Sequence, residues 1–332
     1  MGIYRYTIRR LLQAIPVMLG VITITFFLAN AIPGDPVQIL LGPSPSQSEI
    51  AAIRARYGLN QPLWQRYINY VLGVLQGDLG RSIFYGERVT AKIAERMGPT
   101  LLLMSSSYAF AILTAIPLGV ISAKRRNKPT DHASRLVSLV GVSTPSFWIG
   151  LMFILVFSFH LQVLPSTNLV MPWANPTEIR SAATRLDVLV MSARHLVMPM
   201  VSLGTLQMAA LTRIERSSML EVLSEEYVQL ARAYGVTEST ILRKHAFRNA
   251  QLPIITILGL QLTSLIGGAV LIETVFQING MGKLIVNSIF RQDYPLIMGT
   301  TIVFGVVFVV GVIVTDLSYA YIDPRVTYDE VD

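Results

Sequence analysis

The sequence predicts an all-α polytopic membrane protein with six transmembrane helices and a small helical external domain after the first helix. Three observations predict it. Of the 332 residues 52% are hydrophobic and only 14% are charged, against about 25% charged in an ordinary soluble domain. Six stretches approach the roughly 20 mostly apolar residues that a bilayer span needs. Lys and Arg gather in alternate short loops, as the positive-inside rule requires.

The first span covers 11–31. Arg5, Arg9 and Arg10 precede it and Ala29-Asn30-Ala31 closes it, an arrangement that a signal peptide shares. The apolar run exceeds the about 7–15 residues of a signal h-region, so the expectation is a retained helix, stopped by Pro33 and Pro36. The segment 32–98 follows as an external helical domain. Ser46 and Glu49 stand three apart, the spacing of a capping box, and Ile50, Ile53 and Tyr57 continue at helical spacing. Trp64, Tyr67, Ile68, Val71, Leu72 and Leu75 mark a second amphipathic helix, which Gly77 ends. Folding alone, or docking of a partner, would explain such a pair.

The remaining core, 99–332, carries spans near 100–122, 136–160, 195–213, 252–273 and 296–317. Ser105-Ser-Ser107 in the second span suits close helix contact. Pro145, between Thr144 and Ser146, is expected to kink the third, with Phe147 and Trp148 after it on a surface that lines a path or packs on a neighbour. Pro199, Gly204, Thr205 and Gln207 make the fourth the weakest. Glu273 ends the fifth, where a carboxylate must face protein or water; it reads equally as part of an outer gate or as an interfacial cap. Asp316, at the inner end of the last span, reads as a structural partner of a cytoplasmic Arg. The basic loops 124–135 and 213–248, with the N-terminal tail, share one side, so both termini are expected inside.

Several chemistries are excluded. There is no Cys, hence no disulfide framework and no thiolate site. His132, His160, His195 and His245 are scattered without metal-ligand spacing. The net charge of +7 fits basic cytoplasmic loops rather than nucleic-acid binding. Asn279-Gly-Met-Gly-Lys283 lacks a phosphate-loop frame: Gln277 and Leu284 stand where Gly and Ser or Thr are needed. A turn between helices explains Gly280 and Gly282.

The most patterned segment is the inside loop 214–250. Met219, Val222, Leu223 and Tyr227 have helical spacing, and Gly235 reads as a left-handed helix stop. Thr237 offers the next N-cap, a second helix runs from Ile241 to Asn249, and Leu252-Pro253 opens the fifth span. Helix, Gly, helix makes an elbow suited to docking a partner.

These residues resemble the integral membrane permease subunits of the dipeptide/oligopeptide branch of ABC importers. The coupling (EAA-type) loop of that family, Glu-Ala-Ala, three residues, Gly, maps onto Gln229-Leu230-Ala231, three residues, Gly235. The first two positions depart from the wider consensus. Glu226, Tyr227, Arg232, Ala233, Arg248 and Asn249 match the branch in the same loop. Ile32-Pro-Gly-Asp-Pro36, Gly77-Asp-Leu-Gly80, Glu273-Thr-Val-Phe276, Asp293-Tyr-Pro295 and Ile322-Asp-Pro-Arg325 match it in order. The resemblance implies a type I ABC permease fold in a bacterial inner membrane. It implies a second homologous permease, two ATPase subunits that bind the ATP and Mg, an external substrate-binding protein and a peptide cargo. The chain itself would be neither an enzyme nor a cofactor protein. The same branch also carries nickel complexes, glutathione and other small solutes. A stand-alone secondary transporter would show repeated halves and midplane charges, and a membrane enzyme would cluster acids, bases or metal ligands; the sequence has neither.

Overall fold

The computed structural model describes residues 3–31, 37, 41, 45–179 and 182–322; the side chains of 3–6, 252, 260, 262–265 and 316–322 are not described. The motif at 32–36, positions 323–325 of the tail motif, and the Asp316 side chain lie outside the described residues. The regular elements among the described residues are helices, with one isolated bridge, Arg81 to Arg88. They divide into two compact units, Ile8–Thr100 with Asn279–Val310, and Met1–Thr7 with Leu101–Ile278 and Gly311–Asp332.

Helix α1 runs Ile3–Ala31. Helix α2, Gln47–Arg56, begins with the expected capping box: Glu49 N–H donates to Ser46 Oγ, and Ser46 N–H donates back to the Glu49 carboxylate at 2.8 Å. The Ser46 hydroxyl, then its backbone N–H, hold that carboxyl below its ordinary pKa. Helix α3, Leu63–Leu75, stops at Gly77, where φ is +80°. Asp293 ties this unit together. It is buried, and accepts from the Ser82 hydroxyl and from the N–H groups of Ile83 (3.1 Å) and Phe84 (3.2 Å). The unit's core joins Ile22, Leu79, Val89, Ile93, Met281, Leu284, Leu296 and Ile302.

Gly282 corrects a sequence expectation. It lies in the first turn of a helix, Met281–Phe290, rather than in a turn between helices. The Met281 N–H donates to Thr100 Oγ1 at 2.8 Å, which satisfies one of the donors a helix start leaves open.

Helix α4 runs Val89–Lys124. The third predicted span is more broken than a proline kink. Helices α5, Pro129–Ser143, and α6, Ser146–Phe153, meet at 103°. Pro145 forces Thr144 out of the helical region, and both residues are extended (ψ 125° and 135°). A wide π turn, Ile154–His160, continues α6. Helix α7, Arg185–Leu223, passes through Pro199 without stopping. Gly204 explains why such a residue sits there: a Cβ would lie 2.8 Å from the Ser107 carbonyl and 2.7 Å from Phe110, so α4 and α7 cross at backbone contact. Ser107 is fully buried and bonds its own helix at Leu103 O, as the small polar patch suggested.

Among the described residues four helices are long and apolar enough to cross a membrane, and the bent pair makes up to five. The fifth predicted span falls within a 29-residue helix, Phe247–Val275, and the last within Tyr294–Ile322. The protein is thus a multi-pass, all-helical membrane protein.

Candidate functional site

The loop predicted to dock a partner is an ordered elbow. Helix α7 continues to Leu223, further than the predicted span, and its last turns hold Met219, Val222 and Leu223 against Ala123, Leu242, Ala246 and Ala250. The chain turns at Ser224 and Glu225, so Tyr227 belongs to a separate helix, α8, Glu226–Ala233. Tyr234 closes α8, and Gly235 follows at φ +77°. Gly235 N–H donates to Arg232 O at 3.0 Å, and Val236 N–H to Ala231 O at 3.1 Å. This pair of bonds is a Schellman stop, and its left-handed position favours glycine.

Thr237 takes the N-cap position, yet its hydroxyl bonds to the hydroxyls of Ser239 and Thr240 rather than to backbone. A single turn, Glu238–Thr240, leads through a π stretch, Ile241–Ala246, into helix α9, Phe247–Val275. The second arm therefore does not end before the membrane. It runs straight into α9, the helix of the fifth predicted span, with Pro253 inside that helix rather than at its opening.

Side chains lock the two arms. Asn249 Nδ2 donates to Tyr227 Oη at 2.8 Å, and Tyr227 Oη to His245 O at 3.4 Å. Arg232 Nε pairs with Glu238 Oε1 at 2.7 Å across the Gly235 turn. Gln229 Nε2 donates to Ser224 O at 3.0 Å. Val228 is fully buried, and Ala231, one turn on, is half-buried on the same side. Beside it the helix stays open: Tyr227, Leu230 and Tyr234 form an exposed stripe at i, i+3 and i+7, with Tyr234 80% exposed. Glu226, Ala233, Arg248 and Asn249 are also exposed.

The elbow rests on a polar foundation that sequence reasoning missed. Asp131, fully buried, accepts two bonds from Arg216 (2.6 and 2.9 Å), one from Ser122 (2.6 Å) and one from Asn127 N–H (2.8 Å). Glu215, also buried, accepts from Gln251 Nε2 at 3.0 and 3.1 Å. Gly119 makes room for it: a Cβ there would lie 2.5 Å from the Glu215 side chain. Ser218 donates to Ala250 O at 2.9 Å. The α4–α5 turn, the end of α7 and the start of α9 are thus bonded into one base. A signal for Asp131 existed, since an acid just after Lys128-Pro129 opens a helix; nothing in the sequence marks Glu215.

Glu273, Phe147 and Trp148 lie outside the elbow. Glu273 is fully buried in the last turn of α9, while Phe147 and Trp148 are exposed on α6. Among the described residues, no group of three or more His, Cys, Asp or Glu is placed to hold a metal ion.

Known proteins match over nearly the whole length. Residues 115–328 match the family described as "Binding-protein-dependent transport system inner membrane component", and residues 3–104 match its N-terminal counterpart. The chain is 40% identical to the oligopeptide transport system permease protein AppB of Bacillus subtilis, over 97% of this chain and 99% of that one. It is 34% identical to the dipeptide transport system permease protein DppB of Escherichia coli, over 98% and 99%. It is 39% identical to the probable D,D-dipeptide transport system permease protein DdpB of E. coli, over 93% and 94%.

Proposed function

The chain belongs to the family of inner membrane components of binding-protein-dependent transport systems, and on that premise we propose that it is a permease subunit of an ATP-binding-cassette importer of dipeptides or oligopeptides. It forms the translocation path with a second homologous permease in a bacterial inner membrane. Two ATPase subunits bind it from the cytoplasm, and an external binding protein delivers the peptide. Six spans place both termini and the elbow inside and residues 32–98 outside; the distribution of Lys and Arg supports this side.

The observation that carries the coupling role is the elbow's combination of a locked interior and an open apolar stripe. A partner needs Tyr227, Leu230 and Tyr234 as anchors, and aromatic anchors in a small projecting helix suit a groove on another protein. The interior bonds make α8 a lever. Force on it passes through the Tyr227–Asn249 bond and the buried base to α7 and α9 rather than into loop motion. ATP-driven closure of the two ATPases then biases a rigid-body transition between inward and outward access. Glu273 and the exposed Phe147 and Trp148 belong to the path or its outer gate in this reading.

The test is transport. The chain, its companion permease, the ATPases and the binding protein are reconstituted in vesicles, and labelled dipeptide uptake is followed. Accumulation that requires ATP and the binding protein is expected, and the purified chain alone should hydrolyse no ATP. Uptake that proceeds without the ATPases would contradict the reading.

A further inference from the structure

Helix α3, Leu63–Leu75, has more apolar surface than its packing uses. Tyr67, Tyr70, Val71 and Val74 face the core of their unit. Gln65, Arg66, Asn69 and Gly73 form a polar arc. Between them lies a third arc, Trp64, Ile68, Leu72 and Leu75, spanning roughly 80° of the helix. All four are exposed, from 48% at Ile68 to 76% at Leu75. A surface helix in water needs one apolar stripe, against the core; this helix has a second.

Its position beside α1 says what covers that second stripe. Thr23 Oγ1 and Tyr67 Oη are hydrogen-bonded at 2.7 Å. Phe26 meets Tyr67 and Tyr70 at ring distances of 5.4 and 5.9 Å, and Phe27 stacks on Tyr67 at 5.7 Å. The crossing therefore falls at Thr23–Phe27, well before α1 ends at Ala31. At 1.5 Å per residue, Phe27 and Thr23 lie about 6 and about 12 Å inside that end. A helix that touches α1 at this depth is not held out in solvent. Interfacial helices bury their apolar face about 5–10 Å into the boundary of headgroups and acyl chains. On α1 itself, Ile24 and Leu28 are exposed at the same depth, as lipid-facing residues are.

We propose that α3 lies in the membrane interface, with Trp64, Ile68, Leu72 and Leu75 among the acyl chains of the leaflet that caps α1. The partner is a lipid surface. The polar arc then turns Gln65 and Asn69 toward headgroups and water, and Trp64 takes the interfacial place that Trp favours. The outer segment of the permease is thereby anchored beside its first span rather than standing free. The proposal rests on α1 as a membrane span, and its assignment to the outer leaflet rests on the topology proposed above.

The chain has no Cys, so single spin labels report cleanly. Ile68→Cys, Leu72→Cys and, as a polar reference, Asn69→Cys are labelled in the complete transporter, in nanodiscs of phosphatidylethanolamine and phosphatidylglycerol. Uptake by each variant checks assembly, and the two apolar sites serve as replicates. Collision with oxygen is expected to exceed collision with a water-soluble nickel chelate several-fold at 68 and 72, and the order should reverse at 69. Nickel access at 68 and 72 would place the stripe in water and overturn the proposal. Exclusion of both reagents there would mean that a protein partner covers it, which also overturns it. An impermeant thiol reagent on Ser48→Cys reports the side of the membrane separately. A wrong topology is thereby distinguished from a wrong depth.

Discussion

Gly235 is the position where a single Cβ tests the elbow most cleanly. It sits at φ +77°, inside the Schellman stop of α8, and a Cβ built there meets nothing within 4 Å. A Cβ there therefore adds no clash, and its cost is backbone strain. For an L-residue in the left-handed region that cost is about 1–2 kcal/mol, small for Asn and higher for a β-branched side chain. Such a cost shifts a local equilibrium by a factor of roughly 5–30. That is enough to depopulate the docking shape of a short projecting helix. It is too little to unfold a multi-helix bundle with buried polar ties under the elbow. Gly235→Asn should therefore transport nearly normally, Gly235→Ala should be reduced several-fold, and Gly235→Val should be close to inactive. All three should reach the membrane in normal amount, and ATPase co-purification should fall in the same order as uptake. Normal uptake by Gly235→Val would show that the elbow needs no left-handed residue there. Equal damage by Asn and Val would show instead that volume rather than φ is what matters.

Three further outcomes are expected. Asp131→Ala strands Arg216, whose side chain is 18% exposed; removing one partner of a buried pair costs roughly 3–5 kcal/mol, so thermal unfolding in detergent should drop by several degrees, and the double variant with Arg216→Ala should lose less than the two single losses added. Gly204→Val puts side-chain atoms against the fixed Ser107 carbonyl, so size-exclusion chromatography should show aggregated or missing protein, while Gly20→Val, with open space around it, should run as the parent does. Ser48→Cys should react with an impermeant thiol reagent on intact cells and Asn127→Cys only after permeabilisation; the reverse pattern would sink the topology.

Much of this was legible from the order of residues. The Ser46–Glu49 box and the Gly235 stop depend on neighbours within one turn, so their signals are local. A φ above zero is marked by glycine at Gly77 and Gly235 but not at Asn127, Gln162, Asn168, Gln277 or Gln292. Apolar length located the long helices because a bilayer imposes it, although the third predicted span is two short helices at a sharp bend. What the sequence concealed depends on distant partners. Pro145 announced a bend and biases Thr144 to extended backbone, but the 103° size also needs Pro145 itself to be extended, which the fold selects. The Asn279–Lys283 stretch read as a turn because its glycines are local breakers, whereas Thr100, far away in sequence, caps a helix there. Pro253 read as a helix opening, yet the helix begins earlier and carries the proline within it. Glu215 was invisible because its acceptability depends on Gly119 and Gln251, residues that no spacing rule connects to it.

The coupling role of α8 requires that its exposed stripe meet an ATPase. Single cysteines at Leu230, Tyr234 and Val228, paired with a photoactivatable thiol crosslinker in the assembled transporter, test it directly. Leu230→Cys and Tyr234→Cys should crosslink to an ATPase subunit, with the yield changing when ATP is bound but not hydrolysed. Val228→Cys, on the buried side, should crosslink only within the chain. Crosslinks from Val228 but none from Leu230 or Tyr234, or no ATPase adduct at any elbow position while uptake persists, would contradict it.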